Sequence, residues 1–296
     1  MSIGRRDFVA TLGTLAASAA AIPTGFAEEI LSTGNDLVEP IHRVANAANS
    51  LEPVTLHPLD RALQIAHDGL AACRSNINDY TALLVKRELV GGTLGEHEFM
   101  QAKIRNRKVV NGQIVQPLSV YLNFLKPATV KGREVIYVEG QNDGNMIAHE
   151  GGFKGRFLPT VNVPPDGLIA MRGQRYPMTE IGIENLIVKL LERGQQAKQF
   201  EDAQCEFRKN ARIKDRACTV FQVTLPTKRP ELIFYQAQVF IDDELTVPIR
   251  YIAYDWPRRG GAPLEVLEEY NYLNLQVNVG LTDADFDPNN RAYNFS

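Results

Sequence analysis

The chain has 296 residues, 44% of them hydrophobic and 8% aromatic, and its 32 Lys and Arg against 35 Asp and Glu give a net charge of -3. This composition excludes a wholly disordered chain and a disulfide-dense mini-protein, and the length suffices to bury a sizeable core. The near-neutral balance offers no excess of cations to release phosphate counterions, so no nucleic acid is expected as a partner. The 3 Cys are too few for a disulfide framework or a four-Cys zinc site.

Residues 1–27 read as an export signal. Arg5 and Arg6 precede Asp7, Phe8 and Val9, an uncharged Ala-rich stretch follows, and Gly25-Phe26-Ala27 offers small residues at the first and third places for a signal peptidase. The pattern resembles a twin-arginine signal. That resemblance implies the twin-arginine export machinery as a partner, transport of an already folded chain and a periplasmic destination. Thr11, Gly13, Thr14, Ser18 and Pro23 make the stretch weakly apolar for a bilayer span. No second apolar run of that length follows, so cleavage after Ala27 would leave no stable transmembrane span. Folding in a reducing cytosol implies a fold that stands without disulfides.

Residues 28–57 lack sustained periodicity and read as a tether, with a short helix near residues 41–48. One domain is expected over residues 58–296. Pro58 suits a first helical position, and Leu59, Leu63, Ala66, Leu70, Cys73 and Ile77 make one helical stripe over residues 58–76. Residues 80–90 then alternate, with Leu83, Val85 and Leu89 on one side and Lys86 and Glu88 on the other. Met100, Ala102 and Ile104 share a face in residues 97–107, and Leu118, Val120, Leu122 and Phe124 share one in the next strand. Residues 133–139 and 145–149 flank Asn142-Asp143-Gly144, a hairpin signal.

A Pro-rich crossing over residues 159–176 leads to a second helix, opening near Pro177 to Thr179. Ile183, Leu186, Ile187, Leu190 and Leu191 carry its stripe and Gly194 ends it. Strands return over residues 203–210, 217–225, 233–241, 247–254 and 266–277, where Phe221, Val223 and Leu225 share a face, as do Ile233, Tyr235, Ala237, Val239 and Ile241. Period-two segments in series with two helices predict an α+β fold: one mainly antiparallel, curved sheet, an open β half-barrel wrapped around its helices.

Several passages resemble a bacterial secreted family known as domain of unknown function 1571. They are Tyr80-Thr81-Ala82, the run from Val120 to Pro127, Gly132-Arg133-Glu134-Val135-Ile136-Tyr137-Val138-Glu139-Gly140, Arg175-Tyr176-Pro177-Met178-Thr179-Glu180-Ile181-Gly182, and Asp283-Ala284-Asp285-Phe286-Asp287 with Tyr293 and Phe295. That family is in turn similar to the periplasmic lipoprotein carriers LolA and LolB, through its strand order, its Asp-Gly turn and its Asp-Phe-Asp ending. The resemblance implies a half-barrel whose concave face, capped by helices, holds acyl chains. Residues 153–175 and the tether depart from the shorter carriers and leave open whether the mouth of the barrel is free.

Enzyme motifs are missing: no Gly-x-Ser-x-Gly, no phosphate loop, no dinucleotide fingerprint and no His-Glu-x-x-His. His42, His57, His67, His97 and His149 are scattered singly, and a hydrolase would have to draw on His97 with Glu98 or His149 with Glu150. A disulfide between Cys205 and Cys218 suits the periplasm, whereas a turn centred on Lys214-Asp215 sets Cys218 opposite Ala211 and leaves two free thiols. The segment from Asp283 to Asn294 mimics a calcium loop but has Pro288 where Gly is needed and Asn294 where Glu is needed, so it reads as a capping turn. No metal, cofactor or catalytic residue is implied.

The remaining candidate site is an apolar concavity. By alternation its inward residues are Leu122, Phe124, Ile136, Val138, Phe221, Val223, Tyr235 and Val239, facing Leu186 and Leu190 of the second helix. Left partly unfilled, it would suit an apolar ligand or a lipoprotein acyl chain without any polar motif. The function expected is therefore a soluble periplasmic binding protein that holds or ferries such a ligand. The alternative is a non-enzymatic structural or interaction protein of the cell envelope with a filled core, since periodicity alone does not separate a packed core from a pocket.

Overall fold

Alternating strands dominate the computed structural model, which describes residues 42–43, 57–155 and 157–295, all within one unit, Pro40–Ser296. The first long element is helix α1 (Asp60–Asn76). Pro58 and Leu59 form the turn before it rather than its first residues, and the backbone N–H of His57 donates to Asp60 Oδ2 at 3.0 Å. After α1 come β2 (Asp79–Val90), β3 (Thr93–Leu94), β4 (Glu98–Arg105), β5 (Lys108–Val110), β6 (Gln113–Gln116), β7 (Ser119–Lys126), β8 (Glu134–Val138), β9 (Met146–His149) and β10 (Val161–Val163). The second helix, α2, spans Ile183–Ala197. It is followed by β11 (Gln204–Ile213), β12 (Arg216–Thr224), β13 (Gln236–Asp242), β14 (Pro248–Tyr254) and β15 (Val266–Val277). Of the short helix expected near residues 41–48, only His42–Arg43 lies within the described residues, and there a two-residue strand β1 (His42–Arg43) pairs with Arg212 and Ile213 of β11.

All the described strands but β5 and β6 make one open antiparallel sheet in the order β1-β11-β12-β13-β14-β15-β2-β4-β7-β8-β9-β10, with β3 folded back on β2. The fold is therefore the expected α+β class, with a large open sheet and, among the described residues, two long helices. The last long strand closes the chain onto the first: Leu273 of β15 pairs with Leu83 of β2. This joins a wing built from the first half of the chain to one built from the second. At the Asn142-Asp143-Gly144 turn all three residues take positive φ (50°, 52° and 79°), which allows the tight reversal between β8 and β9.

Period and end signals leave some elements misplaced. The crossing expected over residues 159–176 contributes β10, which pairs with β9 at the sheet edge. β5 and β6 form a separate two-stranded ribbon around Asn111-Gly112, with Val109, Val110, Ile114 and Val115 all more than half exposed. Gly194 does not end α2. The helix runs on to Ala197, and a Cβ at Gly194 would meet Leu63 Cδ2 at 2.7 Å, so glycine there marks where α1 and α2 cross closely. The expected strand over residues 233–241 begins only at Gln236, which leaves Ile233 and Tyr235 outside it.

The C-terminal tail closes the outer face of the first wing. Phe286, Tyr293 and Phe295 pack on Tyr121, Ile136 and Val138. Tyr293 stacks on Tyr121 with centroids 4.1 Å apart. Asp283–Phe286 is a 3-10 turn with a capping box between Thr282 and Asp285, and Asp285 and Asp283 reach Lys103 and Arg105 at 2.8 and 2.7 Å. The acidic tail is thus a cap, and among the described residues no group of three His, Cys, Asp or Glu is placed to hold a metal.

Candidate functional site

Register decides which residues face the concave side. Tyr272, Leu84, Met100 and Phe124 form one cross-strand row. Leu122, Val135, Ala148 and Val161 form the next. Both rows point toward the face that carries the helices, yet the helices do not cover them. The result is a cavity of about 500 Å³, walled by Leu186, Lys189 and Arg193 of α2 and roofed by the strap that connects β10 to α2, through Pro165, Ile169, Met178 and Ile181. α2 is anchored at its start, where the Ile183 N–H donates to the buried Tyr80 hydroxyl at 2.8 Å. That bond satisfies one of the free donors at the helix N-terminus.

The seam between β15 and β2 gives this apolar cavity a polar floor. Glu268 and Glu88 are directly opposed in the ladder and both are buried. Glu268 accepts from Tyr176 Oη at 2.7 Å and Tyr251 Oη at 3.1 Å, and pairs with Arg193 Nη1 at 2.7 Å and Arg175 Nε at 3.1 Å. Glu88 accepts from Tyr270 Oη at 2.5 Å and from the Arg175 N–H at 3.0 Å, and lies 3.4 Å from Lys86 Nζ. Lys86 also donates to Gln174 of the strap.

Burial, then the nearby Glu268 charge, push the Tyr251 and Tyr176 hydroxyls up, and Tyr270 rises for the same reasons together with Glu88, so all three stay protonated and donate. For Arg193 burial works against the charge, but Tyr251, Glu268 and Tyr176 outweigh it and hold its pKa up. Each carboxylate is matched by several donors, as a buried charge requires. The network binds the strap (Gln174, Arg175, Tyr176) and α2 (Arg193) to the sheet, so its polar groups are occupied with one another.

The other wing is filled. Beneath the crossing of α1 and α2 only about 40 Å³ remains, lined by Leu63, Leu190, Phe221, Val223, Phe234 and Val239 among others.

The residues expected to line one concavity therefore separate into four places. Leu122, Phe124 and Leu186 line the open cavity. Leu190, Phe221, Val223 and Val239 lie in the filled wing. Ile136 and Val138 must be corrected to the outer face under the tail, because Tyr121 rather than Leu122 pairs with Ile136. Tyr235 sits half-buried before β13, and its neighbour Phe234 takes the inward place. The signal residues Arg5, Arg6, Phe8 and Ala27 lie outside the described residues.

Sequence reasoning missed Leu84, Met100, Val135, Lys86, Glu88, Glu268 and the tyrosines. Leu84, Lys86 and Glu88 share one face of β2, while Leu83 and Val85 on its other face are also buried. A strand with apolar residues on both faces is central, and a charged pair on such a strand is a sign of a polar site.

Among the described residues no histidine lines the cavity. His97 Nε2 lies 3.4 Å from Glu269, His149 Nδ1 contacts Thr160 Oγ1 at 3.1 Å, and His57 Nε2 contacts the Phe200 carbonyl at 3.2 Å. Cys73, Cys205 and Cys218 are free, and Cys218 pairs with Ala211 across the Lys214-Asp215 turn.

A family model described as protein of unknown function, DUF1571, matches residues 77–295. The chain belongs to the DUF1571 family. Among solved structures it is similar to a DUF1329 family protein from Desulfovibrio piger, with 14% identity over 78% of this chain and 98% of that one and a TM-score of 0.35. It is similar to a chain of the MucA/MucB complex of Pseudomonas aeruginosa, with 16% identity over 77% of this chain and 60% of that one and a TM-score of 0.41. It is also similar to a LolA superfamily protein from Nitrosomonas europaea, with 9% identity over 76% of this chain and 97% of that one and a TM-score of 0.31. No curated protein matches the chain. Among the described residues no helix is long and apolar enough to cross a membrane.

Proposed function

We propose that this DUF1571 protein is a periplasmic binding protein that holds an apolar or amphiphilic ligand, such as a lipid or a lipoprotein acyl chain, in the open half of its concave face. The observation that carries this reading is the cavity of about 500 Å³ left between the sheet, α2 and the strap, a size suited to small-molecule sites. Its walls are largely aliphatic, and the polar groups on its floor are engaged with each other, so affinity comes from apolar burial. A ten-carbon chain would gain about 8 kcal/mol before ordering costs. The twin-arginine pattern at Arg5-Arg6 supports the compartment. The filled-core alternative describes only the wing under α1 and α2.

The test is expression of the full chain with its signal, purification from the periplasm, and native mass spectrometry with organic extraction. A near-stoichiometric co-purifying lipid or acylated species is expected. Leu122→Trp with Val135→Phe, which fills the cavity with apolar volume, should lose it while remaining folded. A clean apo mass, unchanged after incubation with total membrane lipid, overturns the reading.

A further inference from the structure

Ion pairing around the cavity leaves one charge over. Five cationic side chains line it: Lys86, Arg133, Arg172, Lys189 and Arg193. Four of them face a carboxylate that also lines it. Lys86 lies 3.4 Å from Glu88, Arg133 2.9 Å from Glu150, Lys189 3.4 Å from Glu180 and Arg193 2.7 Å from Glu268. Arg172 makes no ion pair among the described residues and is exposed. Its place is held by backbone turns, with the Arg172 N–H donating to the Ile169 carbonyl and the Met171 N–H to the Gly167 carbonyl.

The same turn marks the cavity mouth. Ile169 lines the cavity yet is 80% exposed, and Leu168 beside it is 94% exposed. An opening with an aliphatic rim and a single unpaired guanidinium matches a molecule that is aliphatic over most of its length and anionic at one end. Guanidinium geometry suits carboxylate and phosphate oxygens alike.

We propose that the cavity takes a single-chain amphiphile with an anionic headgroup, the chain lying against Leu122, Phe124 and Val135 and the headgroup held at the mouth by Arg172. This rests on the apolar-binding reading above and adds the headgroup charge to it. The mouth is open to water, so Arg172 contributes selectivity more than affinity, about fivefold at low salt.

The experiment is isothermal titration of the purified protein with dodecanoate, dodecyl phosphate and dodecan-1-ol, three probes with the same chain. Both anions should bind about fivefold more tightly than the alcohol, and the tighter of the two identifies carboxylate or phosphate as the headgroup. Arg172→Gln should erase that preference with alcohol binding unchanged, and Arg172→Glu should reverse it. Equal binding of all three probes, or a preference that survives Arg172→Gln, overturns the headgroup assignment and leaves the apolar cavity standing. No binding of any probe overturns the cavity reading as well.

Discussion

Phe124 and Phe221 are the same residue type on the same face of one sheet, 6% and 5% exposed, yet one lines a cavity of about 500 Å³ and the other a void of about 40 Å³. The alternation that places them is identical. The difference lies in what sits above. Over Phe221 two helices cross closely at Gly194 and Leu63, and their side chains reach down between the strand rows. Over Phe124 there is a strap of irregular backbone, held off the sheet by hydrogen bonds and ion pairs to Glu88 and Glu268. A helix fills the face it covers because its own stripe is apolar, whereas a strap pinned by its polar side chains spans without filling. One curved sheet thereby carries a structural half and a half available to a ligand.

The largest effect that separates the halves is a matched truncation. Phe221→Ala should cost about 4 kcal/mol by chemical denaturation, because it opens a new void in a filled region. Phe124→Ala only enlarges an existing cavity and should cost about 1–2 kcal/mol, while impairing retention of an apolar ligand. Equal costs at the two sites would mean that the open half is packed in solution.

Next comes the clamp. Glu268→Ala leaves the half-buried Arg193 and Arg175 without their carboxylate and should destabilise by about 2–3 kcal/mol. Its distinguishing sign is local. Limited proteolysis should cut the strap between residues 164 and 178 well before it cuts α1 or β11–β14. Uniform loss of protection would mean that strap and helices unfold as one unit.

Much of the fold, though not the division between its halves, was legible in the amino-acid pattern. The ten main strands, the two helices, the hairpin turn at Asn142-Asp143-Gly144 and the capping role of the acidic tail all follow from local chemistry. The inward placement of Leu122, Phe124 and Leu186 follows from period. What period does not encode is the partner across the ladder. Ile136 and Val138 alternate as cleanly as Leu122 and Phe124, and only the pairing of Tyr121 with Ile136 sends them to the other face. The polar floor was hidden for a different reason. Glu268, Glu88 and Tyr176 are far apart in the chain, and each alone has the look of an ordinary surface residue. Gly194 misled because a helix-ending glycine and a helix-crossing glycine are the same letter.

The outer side of the seam offers a pH probe. Glu269 is 1% exposed and pairs with the buried Arg250 at 2.7 Å. Burial pushes its pKa up, but the hydrogen bond from His97 and the charge of Arg250, with Asn271 beside them, win and bring it from 4.5 down to about 2. A carboxyl lowered in the folded state stabilises fully above its unfolded pKa. That contribution, on the order of 3 kcal/mol, is lost as pH falls from about 5 toward 2. Stability measured across that window should decline, and Glu269→Gln should start lower at pH 7 and decline less. A variant with the wild-type slope would assign the acid sensitivity to another carboxyl.

The smallest effect tests how tight the filled half is without perturbing it. Cys205 on β11 lies opposite Val223 of that half, Cys73 near the end of α1 accepts from Asn106 Nδ2 at 3.7 Å beside the seam, and Cys218 on β12 points to the sheet face opposite that of Phe221. Burial, with nearby carboxylates adding to it, pushes each of them up to about 12 from 9. At pH 8 the thiolate fraction of such a group is on the order of one in ten thousand, against about one in ten for an unperturbed thiol at the same reference value. Labelling of the native protein with a thiol-reactive disulfide reagent should therefore be slow at all three sites and complete for all three after denaturation. Saturation with dodecanoate should leave the native rate at Cys205 unchanged, because the ligand occupies the other wing. Ligand-dependent protection of Cys205 would show that the two halves move together, and that the boundary drawn by α2 is not a wall.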